Sequence, residues 1–428
     1  MKLSILFMAL GGLILAAPAL SAPAHVPAAP SGPVEIELSQ KLDEERAERL
    51  ESLIERFNSQ HKDVHLKSVR RVDGDAPKQI NLVTSVEHAR FMADKAKFKP
   101  LYDVMHEAKQ PLDTRQLSPE LSHGLADAKG NLFALPVAYS TPVLYYNKAA
   151  FRKAGLNPEA PPKSWSEAQV AAGKLADSGS RCPFTTSWPA WVFIDNMSAW
   201  NGAPVSDAKG QLAFNGLVQV KHIAMMATWY KSKYFSYFGR RDEADRRFAS
   251  GDCAMLTSSS SLNGSLTENK SLDFGVSAMP YHDDVRGAPQ NTLADGASLW
   301  FANGMSSAET KAVAKFVHYV MGPEIQIELT LAGSFLPMTS VARTAAESKL
   351  LKANLAGLKV AYSELQGKAS SPPVRIAQDE KLRTIVEEEL ETVWANKKPA
   401  KEALDNAVTR GNATIEPVVK VAKAKRGK

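Results

Sequence analysis

The sequence has few cysteines, scattered histidines and none of the common catalytic motifs. Cys182 and Cys253 are the only cysteines in 428 residues, and nine histidines are spread along the chain. Neither cysteine has a second histidine or cysteine at metal-ligand spacing, so no metal site or cofactor is expected. The G-x-S-x-G, H-E-x-x-H and Walker motifs are missing, which favours binding without catalysis.

The remaining candidate groups are interpreted as structural or solvated. His222 lies within a helical pattern and is expected to have a structural role. The acidic runs Asp242-Glu243 and Glu387-Glu388-Glu389 are typical of solvated helix faces. Two cysteines allow only one pair, and in an oxidising compartment the alternatives are a Cys182–Cys253 disulfide or two free thiols.

Long hydrophobic runs are absent after the N-terminus. Lys2 precedes an apolar run from Leu3 to Leu20, and Ala22-Pro23-Ala24 then fits a cleavage site, which predicts a secretory signal over residues 1–24. An uncleaved membrane anchor is the rival interpretation, but glycines and a proline interrupt the run and it is short for a spanning helix. We therefore expect a periplasmic protein that begins near His25.

The chain lacks a basic body, although its formal net charge is +6. The excess comes from Lys2 and from five basic residues in the tail 417–428. Removing these six charges leaves the body near neutrality. Because nucleic-acid binding needs a basic face on the fold itself, that class is not expected. The tail is interpreted as a solvated end.

Strand and helix patterns alternate along the mature chain, whose length suggests two domains. Helices are predicted over Leu217–Lys231, after the cap Ser164, and after a capping box formed by Ser306 and Glu309. The predicted strands are Val34–Leu38, Val64–Val72, Ile80–Val83, Pro142–Tyr146, Ala254–Thr257, Phe274–Met279 and Ser298–Phe301. This alternation indicates an α/β protein with two lobes joined by several strands, which suits hinge closure around a ligand.

Several long strings resemble one protein family. STPVLYYNKAAFRKAGLNPEAPPKSW, at Ser140–Trp165, resembles the family-1 extracellular solute-binding proteins. Five further strings resemble the branch that binds glycerol 3-phosphate: SAWNG (Ser198–Gly202), VKHIAMM (Val220–Met226), FSYFGRRDEADRRFASGDCAM (Phe235–Met255), APQNTLADGASLW (Ala288–Trp300) and VEEELETVWANKKPAKEALDNAVTRGN (Val386–Asn412). The resemblance implies the periplasmic-binding-protein fold, with a ligand cleft between the lobes. It also implies a monomer that delivers its ligand to an ABC permease with its ATPase.

The resemblance also predicts the lobe boundaries. The first lobe, which is shortened, is expected to comprise residues 25–139 and 277–319. The second is expected to comprise residues 140–276 and 320–416, followed by the tail 417–428.

Five residues match ligand-binding positions of the family. The resemblance implies that Arg383 binds phosphate, a role that suits the guanidinium fork. Ser259 and Ser140 match ligand serines, and Gly296 matches a glycine whose backbone N–H approaches the ligand. Trp188 matches an aromatic wall for the glycerol carbons. Trp191, three residues later, is left open between cleft and core.

The first lobe departs from the family pattern. Val72–Pro77 joins two strands almost directly where relatives carry a helix and a ligand-contacting tyrosine. Ser85 stands where relatives have a ligand-binding glutamate, with Glu87 two residues on. Phe335 replaces a tyrosine, and Asp295 replaces a glycine beside the expected anion site.

These changes weaken hydroxyl recognition in the first lobe. The ligand predicted by the resemblance is sn-glycerol 3-phosphate, and a wider cleft that accepts a glycerophosphodiester is the hypothesis favoured by the departures. The alternatives are a diverged solute-binding protein with a different ligand, a sensor or scaffold without a transport role, and a periplasmic phosphodiesterase.

Overall fold

The computed structural model describes residues 32–426, except 123, 128, 353–355 and 366–374. The signal peptide predicted for residues 1–24 lies outside this range. The strands are β1 (Val34–Gln40), β2 (Val64–Arg70), β3 (Ile80–Thr84), β4 (Phe98–Lys99), β5 (Leu135–Ser140), β6 (Pro142–Asn147), β7 (Phe184–Thr186), β8 (Phe235–Ser236), β9 (Met255–Ser259), β10 (Phe274–Ser277) and β11 (Asp295–Ala302).

Helices surround these strands. They are α1 (Glu44–Gln60), α2 (His88–Ala93), α3 (Leu101–Glu107), α4 (Pro119–Ser122), α5 (Lys148–Lys153), α6 (Trp165–Asp177), α7 (Met197–Trp200), α8 (Leu217–Lys231), α9 (Glu243–Ala249), α10 (Asn263–Glu268), α11 (Ser307–Met321), α12 (Pro323–Gly333), α13 (Ser340–Lys352), α14 (Ala356–Ser363), α15 (Glu380–Trp394) and α16 (Ala400–Arg426). None of these described helices is long and apolar enough to cross a lipid bilayer.

The strands form two separate sheets, one in each lobe. The first has the order β2-β1-β3-β11-β4, with β5 also paired to β11, and the second has the order β10-β6-β9-β7-β8. The chain passes from β5 to β6 through Thr141 and returns from β10 to β11. The expectation of two α/β lobes joined by more than one crossover is confirmed. The exact lobe boundaries remain predictions.

Local signals set several of the helix ends. Ser306 Oγ accepts from the Glu309 backbone N–H, and the Glu309 carboxylate accepts from the Ser306 N–H, which completes the predicted capping box of α11. Ser164 caps α6 by accepting from Glu167 N at 3.2 Å. Side-chain caps of this kind satisfy amides that have no partner within the helix.

Aromatic side chains fill the core of the second lobe. Trp165 packs edge-on against Phe184 and Trp229, with ring centroids 5.8 and 6.2 Å apart. His222 is fully buried beside them, with its Nδ1 3.3 Å from His282 Nε2. Burial and the neighbouring His282 lower the pKa of His222. This position fits the structural role predicted for His222.

A disulfide joins Cys182 to Cys253, with their Cα atoms 4.5 Å apart. The two cysteines immediately precede the neighbouring parallel strands β7 and β9. The bond therefore links the starting ends of these strands, whereas Ser259 lies at the far end of β9.

The joint between β2 and β3 is short, as the sequence indicated, and contains no helix. Arg71 folds back from this joint, and its Nη2 donates to both Glu87 carboxylate oxygens at 2.7 Å. Both side chains are only 8% exposed. A buried ion pair of this geometry fixes the joint against the 3₁₀ turn Ser85–Glu87.

One expectation about a charged segment is wrong. Glu387 and Glu389 are not on a solvated helix face, because each residue is only 4% exposed. Glu389 is buried because it pairs with Lys398 and Arg410, at 2.7 and 2.8 Å. Helix α16 continues to Arg426, and the solvated state expected for the basic tail stays a prediction.

Candidate functional site

The ends of β5 and β9 bring two of the predicted serines into contact. Ser259 Oγ donates to Ser140 Oγ at 2.7 Å and accepts from the Ser261 backbone N–H at 3.1 Å. Thr141, the crossover residue, receives a bond from Ser260 N at 2.7 Å. The hydroxyl groups therefore cluster where the chain passes between the lobes.

Gly296 lies beside this cluster, and the structure gives a reason why this residue must be a glycine that the sequence did not reveal. In the antiparallel pairing of β11 with β5 it lies opposite Tyr139. A Cβ atom at Gly296 would lie 1.9 Å from the carbonyl oxygen of Ala138. A glycine is thus required here by the close approach of two strands, whatever its backbone N–H binds.

Asp295 lies next to Gly296 and opposite Ser140 in the same pairing. Its Oδ1 accepts from Gln378 Nε2 and from the Gly296 backbone N–H, both at 3.1 Å. Burial raises the pKa of Asp295, while Arg375 and hydrogen bonds from Gln378 and Ser85 act in the opposite direction. Ser85 therefore influences the ionisation of Asp295.

The segment that carries Gln378 is held by a buried carboxylate. Asp195, in the π-helical turn Ala190–Asn196, accepts from the backbone N–H groups of Ile376 and Ala377 at 2.9 and 2.8 Å. Burial raises the pKa of Asp195 to about 7. Arg375 Nη1 also donates to the Ala294 carbonyl at 2.7 Å. These bonds fix Gln378 beside Asp295.

Arg383 lies in the first turn of α15, whose cap Asp379 accepts from the backbone N–H groups of Lys381 and Leu382. The arginine is only 4% exposed. Its Nε and Nη1 have no hydrogen-bond partner among the described residues. Burial and the positive charge of Arg241 lower the pKa of Arg383. A buried guanidinium with unused donors favours an anionic partner.

Glu387 is the nearest counter-ion of this guanidinium. Its Oε1 lies 3.6 Å from Arg383 Nε, one turn along α15, which is too far for a hydrogen bond. Burial raises the pKa of Glu387 to about 7, against the effect of Arg383 and two other arginines. The carboxyl is therefore partly protonated near neutrality and compensates Arg383 only weakly.

Trp188 and Arg241 form a stacked pair near Arg383. The Arg241 guanidinium carbon lies 5.8 Å from the centroid of the Trp188 ring, and the Trp188 backbone N–H donates to the Arg241 carbonyl at 2.8 Å. Trp188 is partly buried and has a positive φ of 54°. Trp191 belongs to the core, where it is 8% exposed.

Two positions at which the first lobe departs from the family pattern, Glu87 and Phe335, remain to be described. Glu87 already accepts from Arg71, Arg90 and Thr84, so it is not free to replace the missing acid at Ser85. Phe335 is partly buried, and the next residue, Leu336, donates its N–H to the Tyr139 carbonyl on β5.

Sequence reasoning missed Arg241, Gln378 and Glu387. Arg241 and Glu387 lie within charged runs that are typical of solvent, and Gln378 has no distinguishing neighbour in the sequence. Together with the predicted residues they supply positive charge, hydroxyls and an aromatic face. Among the described residues, no group of three or more histidine, cysteine, aspartate or glutamate side chains could hold a metal ion.

Comparisons with known proteins agree with this architecture. Residues 54–356 match the family described as bacterial extracellular solute-binding protein. The sn-glycerol-3-phosphate-binding periplasmic protein UgpB of Pectobacterium atrosepticum is 38% identical over 399 residues, covering 87% of this chain and 89% of that protein. UgpB of Escherichia coli (strain K12) is 37% identical over 408 residues, covering 90% and 93%.

Solved structures show the same fold. UgpB from Mycobacterium tuberculosis in complex with glycerophosphocholine has a TM-score of 0.75 at 21% identity, covering 91% of this chain and 100% of that chain. The cyclic alpha-maltosyl-1,6-maltose binding protein from Arthrobacter globiformis has a TM-score of 0.73, also at 21% identity, covering 90% and 100%. Because the fold accommodates such different ligands, it does not identify the ligand of this chain.

Proposed function

Because the chain belongs to the family of bacterial extracellular solute-binding proteins, we propose that it is the periplasmic substrate-binding component of an ABC importer. We propose that its ligand is sn-glycerol 3-phosphate or a glycerophosphodiester. It would deliver this ligand, as a monomer without enzymatic activity, to a membrane permease and its ATPase. The similarity to the UgpB proteins along nearly the whole chain supports this role.

The observation that carries the ligand proposal is the buried, underused guanidinium of Arg383. Leaving a buried donor unsatisfied costs about 1–3 kcal/mol per group. Glu387, at 3.6 Å, does not supply a hydrogen bond to it. A phosphate oxygen could accept from Nε or from Nη1, and either bond would be charge-assisted.

The rest of the site suits a small polyol attached to that phosphate. Ser140 and Ser259 offer hydroxyls that can both donate and accept, and their mutual bond is 2.7 Å long. The partly buried face of Trp188 can cover the glycerol carbons. The arrangement therefore combines charge recognition from the second lobe with hydroxyl recognition at the crossover.

The first lobe favours a ligand other than the simplest monoester. Ser85 and Phe335 cannot supply the acid and the phenol that the family pattern carries, and Glu87 is occupied by Arg71. These differences support a glycerophosphodiester. The same differences are the reason for a second candidate function: a diverged solute-binding protein that has a different ligand, or that acts as a sensor or scaffold without transport.

Isothermal titration calorimetry of the mature chain, expressed from His25, tests the proposal. The titrants are sn-glycerol 3-phosphate, glycerophosphocholine, inorganic phosphate and maltose. We expect saturable binding of one or both glycerol phosphates and none of maltose. Tight maltose binding without phosphate binding would contradict the ligand class, and binding of no titrant would favour the second candidate.

A further inference from the structure

Asp295 places a carboxylate within the candidate site. It lies opposite Ser140 in the β5–β11 pairing, and opposed residues in an antiparallel pair project to the same face of the sheet. Ser140 in turn contacts Ser259. Asp295 thus shares a face with the hydroxyl cluster expected to contact the ligand.

Neighbouring groups hold this carboxylate in place. Gln378, from the second lobe, and the Gly296 backbone N–H both donate to Oδ1 at 3.1 Å, and Ser85 lies close enough to lower the pKa of this carboxyl. Burial raises the pKa of Asp295, whereas these donors and the positive charge of Arg375 favour the ionised carboxylate.

The charge of Asp295 also reaches the guanidinium that we propose binds phosphate. Burial and Arg241 lower the pKa of Arg383, and Asp295 is one of three carboxylates that act in the opposite direction, so the two charges interact. An anion bound to Arg383 would therefore also experience the negative charge of Asp295. The repulsion grows in proportion to the charge of the anion.

Phosphate monoesters and diesters differ in this charge. A monoester loses its second proton with a pKa of about 6 and approaches two negative charges above neutral pH, whereas a diester has one. We infer that Asp295 is a specificity determinant that disfavours doubly charged phosphate monoesters and selects singly charged phosphodiesters. This inference rests on the proposed function and narrows its ligand class.

The test compares sn-glycerol 3-phosphate with glycerophosphoglycerol, a diester without a cationic group, by calorimetry at pH 8. Asp295→Asn removes the charge and keeps an oxygen that can accept from Gln378. Asp295→Ser is a second neutral variant in case the first does not fold. Asp94→Asn, at an exposed ion pair with Lys97, is the control with the same change in net charge.

We expect the ratio of monoester Kd to diester Kd to fall about tenfold in Asp295→Asn, the order expected for one unit charge several ångströms away in a partly buried site. The fall should come mainly from tighter monoester binding, and the control should keep the wild-type ratio. An unchanged ratio in a folded Asp295 variant, with a wild type that binds phosphate, would contradict the role of Asp295 alone. A wild type that binds neither phosphate would contradict the proposed function as well.

Discussion

Replacing Arg383 by methionine should affect ligand binding and protein stability very differently. In the folded chain this guanidinium is 4% exposed, its Nε and Nη1 have no hydrogen-bond partner among the described residues, and its nearest carboxylate oxygen is 3.6 Å away. Removing one member of a fully paired buried ion pair costs about 3–5 kcal/mol, because its partner is left as an uncompensated buried charge. Arg383 lacks that pairing, and each unsatisfied buried group already costs about 1–3 kcal/mol.

The substitution should therefore change the free energy of unfolding, without added ligand, by no more than about 1 kcal/mol in either direction. Glu387 loses a partner but can become neutral, because its pKa is already raised to about 7. Phosphate binding should weaken by about 2–5 kcal/mol, or roughly 30-fold to several thousandfold, as expected when one member of a buried charge pair is truncated.

Urea unfolding and calorimetric titration with a glycerophosphodiester measure the two effects. Lys381→Met is the matched control, because Lys381 is exposed on the same helix and its loss changes the net charge equally. The control should bind the ligand as the wild type does. If a variant at Arg383 lost several kcal/mol of stability and kept its affinity, Arg383 would be a member of a structural ion pair and would not bind the phosphate.

Three further outcomes follow from the structure. Trp188→Ala should weaken glycerophosphodiester binding about 5- to 30-fold, measured by calorimetry, because the aromatic cover of the glycerol carbons is lost. Replacing Cys182 and Cys253 by alanine should lower the unfolding free energy by up to about 4 kcal/mol by releasing a loop closed over 71 residues, with affinity unchanged. Glu387→Gln should raise stability more at pH 8 than at pH 5. The folded pKa of Glu387 is raised from 4.5 to about 7, so ionising this buried carboxyl destabilises the folded state increasingly as the pH rises through that interval, and glutamine removes this penalty.

Each outcome has a clear opposite. Unchanged affinity in Trp188→Ala would place that ring outside the site. If the folded double cysteine variant lost affinity, the disulfide would have to position Ser259 through the whole length of β9. That result would contradict the expectation that a bond at the start of the strand does not affect the site at its other end. An equal stability change at both pH values for Glu387→Gln would mean that this carboxyl does not change protonation on folding.

The helix ends with short-range signals were the most predictable part of the fold. Helix α8 covers Leu217–Lys231, the range predicted from its pattern. The capping box of Ser306 and Glu309 also starts its helix as predicted. These features depend on residues three or four positions apart, so a single sequence contains the necessary information.

The chemistry of the site was less predictable, because it depends on segments far apart in the chain. Glu387 belongs to an acidic run that resembles a solvated face, and its burial follows only from the packing of α15. Gln378 meets Asp295 across 83 positions. Gly296 was assigned to a ligand contact, whereas its close approach to Ala138 depends on which strand pairs with β11.

The most direct test of the account is a crystal structure of the mature chain in complex with a glycerophosphodiester. We predict a phosphate oxygen within about 2.7–2.9 Å of Arg383 Nε or Nη1, the usual length of a charge-assisted hydrogen bond, with the glycerol between Trp188 and the hydroxyls of Ser140 and Ser259. A ligand bound elsewhere, with Arg383 still facing only Glu387, would contradict it.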